Sequence, residues 1–157
     1  MARVYLIDDN PRSHLFYSVE RPVGVGSPNQ RDDVLLVQFL LRVRAECGEG
    51  SAEYVPPGEQ PLAMDGMCGP QTIKYIKQYQ KIASQKNPAI PLVQDGVVSP
   101  VAAGTGGISG TVSGRMLCIA GLNSHYGKIR GKPATLDITK DPLFPLALRP
   151  YLKVAAS

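Results

Sequence analysis

Apolar positions fall at helical spacing through the middle of this chain and in extended runs at its ends. Val34, Val37, Leu40 and Leu41 recur on one helical face, Arg42, Arg44 and Glu46 take the other side, and Gly48 offers a stop. That pattern predicts a core-facing helix near 32–47. Ile73, Ile76, Tyr79 and Ala83 mark a second apolar face opposite Lys74, Lys77, Lys81 and Gln85, with Pro88 at or beyond its end. It predicts a helix over 70–84. Met116, Leu117, Ile119, Ala120 and Leu122 predict a third over 114–123. Three short helices around one apolar centre hold together mainly by burial, at about 25 cal/mol per Å² of apolar area.

The ends read differently. Positions 3–7 and 15–19 are rich in Val, Tyr, Leu, Ile and Phe, and the polar run Asp8, Asp9, Asn10, Pro11, Arg12, Ser13 lies between them, as in two extended segments joined by a turn. A lone hairpin is marginal in water, so this one must pack on the helices or join another chain's sheet. At the far end, 141–152 is apolar but interrupted by Pro142, Pro145 and Pro150, which excludes a long regular element and predicts an irregular arm. Such ends carry more apolar surface than a small monomer leaves wet. The expectation is that they bury against other chains, 3–7 by edge-strand addition, and that residues 19–135 fold without them.

Two short strings punctuate the helical part: Asp65-Gly66-Met67-Cys68-Gly69-Pro70 and Asp95-Gly96-Val97-Val98-Ser99-Pro100. In each, Asp can accept a hydrogen bond from the backbone two residues on, Gly supplies a positive φ, and Pro suits a first helical position. Their recurrence around an amphipathic segment points to an internal helix repeat.

Read onward, the first string is Asp65-Gly66-x-Cys68-Gly69-Pro70-x-Thr72-x-x-Tyr75-Ile76-Lys77-x-Tyr79-Gln80, and the helix before it carries Asp33-Val34-x-x-Val37-Gln38-x-x-Leu41. Together they resemble the peptidoglycan-binding domain family, whose pattern is D-V-x-x-L-Q-x-x-L followed by D-G-x-aromatic-G-x-x-T-x-x-A-V-x-x-F-Q. The second string resembles that family's closing D-G-V-V-G-P. The lead-in Val23-Gly24-Val25-Gly26-Ser27-Pro28-Asn29 resembles a variant found in bacterial and phage proteins associated with cell-wall attack or contractile injection. The resemblance covers 19–123. Cys68 departs from it where an aromatic is usual, Tyr75 where a small residue is, and Ser99 where Gly is. Segments 48–64, with Pro56, Pro57, Gly58 and Pro61, and 101–113, rich in Ala, Gly, Thr and Ser, read as enlarged loops. Loops of that length often serve binding or assembly.

The resemblance implies a mainly α fold: a three-helix bundle at 19–123, with an extended N-terminal segment at 1–18 and an irregular C-terminal arm at 124–157. It implies noncatalytic peptidoglycan binding, carried by a phage particle or contractile injection system. The alternative is a structural virion or tail component that uses the same fold for protein–protein attachment, because a fold does not fix an activity. In the family the ligand lies along a shallow groove near the helix starts. By position that makes Asp65, Gly69, Gln71, Thr72, Tyr75 and Tyr79 the ligand-binding candidates. Asp65 and Gly69 also have turn roles, Thr72 a first-turn role, and Tyr79 stands at a core Phe position. Gln71 and Tyr75 are the strongest for contact, since sugar rings favour a side chain with an apolar body and polar tip.

Composition bounds the rest. With 157 residues and 43% hydrophobic content the chain is long and apolar enough to bury a core. No run approaches the roughly 18 apolar residues of a membrane span, and the first ten lack a signal peptide's apolar region. The expectation is synthesis in the cytoplasm, no membrane partner, and arrival at the wall by lysis or aboard a particle. A net charge of +4 favours anionic partners without naming one. Lys74, Lys77 and Lys81 make one basic stripe, read either as a solvated face or as a contact for wall carboxylates, teichoic phosphates or an acidic protein. Nucleic acid is not expected, for want of any recognised motif. His14 and His125 belong to no spaced ligand cluster, so neither metal nor cofactor is expected. Cys47, Cys68 and Cys118 give no disulfide framework, and Cys68 and Cys118 read as small buried hydrophobes. Carboxylate pairs are nowhere specified for catalysis, and Asp65 and Asp95 already have turn roles.

Overall fold

The computed structural model describes residues 2–9, 12–104, 107–109, 111–112, 114–131 and 137–154. The fold is mixed and helix-rich. Helices α1 (Arg31–Glu46), α2 (Pro70–Lys86) and α3 (Cys118–Arg130) are accompanied by short strand pairs. The first two helices start and stop within two residues of the sequence expectation.

Helix α1 is the centre of the molecule. From Asp33 to Ala45 every residue but Arg42 is buried, as expected of a helix apolar on all sides rather than along one stripe. Leu35, Leu36 and Phe39 are therefore core alongside Val34, Val37, Leu40 and Leu41. Arg44, expected on the polar side, is only 6% exposed. Its guanidinium donates to the carbonyls of Cys47 (3.1 Å) and Glu49 (2.8 Å) and lies 4.2 Å over the Tyr54 ring.

Both chain ends complete this core. Strand β1 (Ala2–Asp9) pairs antiparallel with β2 (Arg12–Ser18) and, on its other edge, parallel with the C-terminal strand Leu152–Val154. Residues 3–7 are thus the middle of a three-stranded sheet, which corrects the expectation of edge-strand addition. Ala2, Val4, Tyr5, Tyr17 and Val19 are buried. The outer edge of β2 is occupied by a side chain: the Asn123 amide accepts from Tyr17 N (2.8 Å) and donates to Tyr17 O (2.7 Å). Prolines do keep the C-terminal arm irregular, as 3-10 turns Ile138–Lys140 and Leu146–Tyr151. It nevertheless folds back, with Phe144 edge-on to Phe39 at 5.6 Å and Leu148 buried. Asp141 accepts from Tyr126 Oη and Arg130 Nε, each at 2.9 Å. A chain of 19–135 would lose much of this core. Asn10 and Pro11 of the expected turn, and 132–136 and 155–157 of the arm, lie outside the described residues.

The third helix is displaced from 114–123. Arg115 and Met116 form β8, paired with β7 (Thr111–Val112), and Met116 N donates to Pro91 O, so these residues are held extended before the helix starts. Helix α3 then runs to Arg130, past the expected end at Asn123, because Cys118, Ile119, Leu122 and Tyr126 bury one face of it. Packing outweighs the weak helix propensity of Gly121, Asn123 and Gly127. Upstream, β3 (Val23–Gly24) pairs with β4 (Val97–Val98), and β5 (Ala102–Gly104) with β6 (Gly107–Ser109). Residues 105, 106, 110 and 113 of the expected second loop lie outside the description.

Candidate functional site

Each Asp-Gly string is a turn clamped by one glutamine. Gln38 on α1 donates through Nε2 to Asp65 Oδ1 (3.1 Å), Met67 O (3.1 Å) and Thr72 Oγ1 (3.0 Å), while its Oε1 accepts from Gly66 N (3.0 Å). Gln80 on α2 donates to Asp95 Oδ1 (3.2 Å) and Val97 O (3.0 Å) and accepts from Gly96 N (2.9 Å). Asp65 and Asp95 also take the amide two residues on, from Met67 (2.9 Å) and Val97 (3.0 Å). The Met67 amide bond, with help from Gln38, holds the Asp65 carboxyl below its ordinary pKa. Asp33, buried at the start of α1, accepts from the amides of Glu20 (2.8 Å) and Arg21 (3.1 Å) and fixes the chain entering from β2.

These bonds decide where the six candidates stand. Asp65 is exposed but committed to its turn, and Gly69 caps α2, its carbonyl accepting from Ile73 N at 3.1 Å. Gln71 reaches back to the 48–64 segment, donating to Gln60 O (3.3 Å) and Pro61 O (3.4 Å) and accepting from Ala63 N (3.2 Å). Tyr75 donates to Gln60 O at 2.6 Å. Thr72, Tyr75 and Tyr79 are 3%, 1% and 0% exposed. Three of the six are thus buried, and Tyr75, 1% exposed, gives its hydroxyl to the 48–64 segment. The segment 48–64, expected as an enlarged loop, buries its own Tyr54 and Leu62.

A different concavity opens between α2 and α3. It has a volume of about 280 Å³ and is lined by Tyr79, Ala83 and Lys86 of α2, Ser124, His125 and Lys128 of α3, with Leu92 and Met116 as apolar wall. Tyr79 Oη and His125 Nδ1 are 2.7 Å apart, and the two rings meet edge to face at 5.6 Å. Gly121 lets the helices come this close, since a Cβ there would lie 2.7 Å from Tyr79 Oη. Burial pushes the Tyr79 hydroxyl far above its ordinary pKa. It also pushes His125 down to about 4, with Arg44, Lys128 and Lys86 adding positive charge nearby, so the imidazole is neutral at pH 7. With Tyr79 Oη donating, Nδ1 accepts and the ring proton sits on Nε2. Lys86 is paired with Glu53.

Sequence reading named His125 and Tyr79 but did not join them, for nothing in the spacing links positions so far apart. One signal was present: a buried Tyr at a Phe position needs a partner for its hydroxyl. Among the described residues no group of three His, Cys, Asp or Glu gathers as a metal site, and no helix is long and apolar enough to cross a membrane. Cys118 is buried, while Cys47 and Cys68 are half-buried. The His14 side chain lies outside the description. No family model, curated protein or solved structure matches this chain.

Proposed function

We propose that this chain is a noncatalytic cell-wall-binding module of the peptidoglycan-binding-domain type, its three helices serving as the bundle of that fold, carried by a phage or contractile injection particle. The observation that supports this most is the doubled glutamine clamp. The polar residues of the resembling motif all take internal hydrogen bonds: Gln38, Asp65, Thr72, Gln80 and Asp95 at the two turns, and Asp33 at the entry to α1, which gives each of them a structural reason to be present. The exposed Lys77 and Lys81 of α2 suit an anionic polymer, while Lys74 beside them is paired with Glu59 at 2.8 Å.

The alternative, attachment to other structural proteins, drew its main support from apolar ends awaiting a partner. Those ends pack on their own core, and that reading now rests on Leu146 and Tyr151, which are 75% and 45% exposed. Cosedimentation of the intact chain with purified sacculi separates the two. Saturable pelleting favours wall binding, and full recovery in the supernatant at low salt opposes it.

A further inference from the structure

We propose that the groove between α2 and α3 binds a small organic anion, a carboxylate or phosphate joined to a short apolar group; the choice of wall polymer as its source rests on the wall-binding reading above. The ammonium groups bordering this groove are Lys128 and Lys86; Lys86 is paired with Glu53, which is not among the lining residues, so Lys128 is the cation the proposal leans on. Each lysine lies in the last turn of its helix, where it offsets the negative helix end. That role alone does not require both to border one cavity together with a histidine. Tyr79 Oη lies 2.7 Å from Nδ1 of this imidazole, and in the tautomer where the hydroxyl donates, Nε2–H is the donor left for a ligand. Ser124 adds a hydroxyl at the rim, and Ala83, Leu92 and Met116 supply apolar wall. A concave site of this size with a few converging donors suits a ligand of several heavy atoms rather than a bare ion.

Stem peptides end in a carboxylate beside a methyl group, and teichoic acids carry glycerol phosphate. Both present the required chemistry, so the probes are N-acetyl-D-alanyl-D-alanine, its C-terminal amide, and sn-glycerol 3-phosphate, each titrated into the full chain. Calorimetry reads affinity, and NMR reads the ring protons of His125, readily assigned because the chain has two histidines. The expected result is saturable binding of one or both anions, none of the amide, and movement of the His125 signals. Lys128→Gln should weaken binding about threefold to tenfold. Lys140→Gln, which removes the same charge from the C-terminal arm, 84% exposed and outside the groove, should leave it unchanged. Preference for the peptide or the phosphate assigns the source. Equal binding of the amide, unmoved His125 signals, or equal effects of the two lysine changes would overturn the proposal. Pelleting with sacculi in the absence of anion binding would retain a wall module and reject this groove. Anion binding without pelleting would retain the groove and reject the wall.

Discussion

Gln38 and Gln80 hold equivalent positions in two successive helix-to-turn units, each bridging an Asp side chain, the next Gly amide and the carbonyl one residue on. An amide can do this because it both donates and accepts. A carboxylate of the same shape cannot donate, and at position 38 it would meet Asp65 at hydrogen-bond distance. Gln38→Glu is expected to lower stability by about 3 kcal/mol at neutral pH, and Gln80→Glu by a similar amount, since each orphans buried groups and adds like-charge repulsion. Thermal melts check this, and wild-type melting in either variant would show that the glutamine does not hold its turn.

Gly24 ties the lead-in to the second turn. Its φ is +131°, and a Cβ there would fall 2.1 Å from the Gly96 carbonyl. Gly26, two residues away at φ +63°, has nothing within 4 Å. Gly24→Ala is therefore expected to destabilise by several times more than Gly26→Ala, whose backbone strain alone is worth about 1 kcal/mol. Equal losses in denaturant midpoint would contradict the contact.

His125 gives a pH signature with a definite sign. Its folded pKa, about 4, lies below the unfolded 6.5. The unfolded chain takes up the proton first, so the stability tied to neutral His125 is complete above about pH 6.5 and declines as pH falls toward 4. Below about 4 no further loss comes from this group. An NMR titration of the ring should show its midpoint near 4, and His125→Gln should flatten the fall in melting temperature between pH 6.5 and 4. A midpoint near 6.5 would contradict the buried geometry.

Removing residues 1–18 tests whether the N-terminal hairpin belongs to the core. The truncation takes away Val4, Tyr5 and Tyr17, all buried, each worth about 1.5–3 kcal/mol. That sum rivals the whole stability of a typical domain, about 5–15 kcal/mol. The truncated chain is expected to lose cooperative melting, and a sharp transition near the wild-type temperature would return the hairpin to the status of an appendage.

Helices α1 and α2 and both Asp-Gly turns were legible because local chemistry sets them: apolar periodicity, Pro70 at the first helical position, and Asp and Gly at their turn positions. The third helix was not, because what fixes its start is a strand pairing and a bond from Met116 to Pro91, both non-local. Tyr75 was a candidate by its place in the resembling motif, and it is buried with its hydroxyl on Gln60 O, a contact with a loop whose path the motif does not contain. The ends misled for a related reason. Their apolar content announced burial correctly, but pattern alone cannot say whether the buried partner is another chain or Phe39 of the same one. The α2–α3 groove was illegible as a site, since its donors come from separate helices.

Wall binding is decided by a sedimentation isotherm: intact chain at fixed concentration, increasing purified sacculi, at low and physiological salt, beside Lys128→Gln. The expected result is saturable loss from the supernatant, weaker at higher salt and weaker in the variant. A supernatant unchanged at low salt across the full range of sacculi would contradict it.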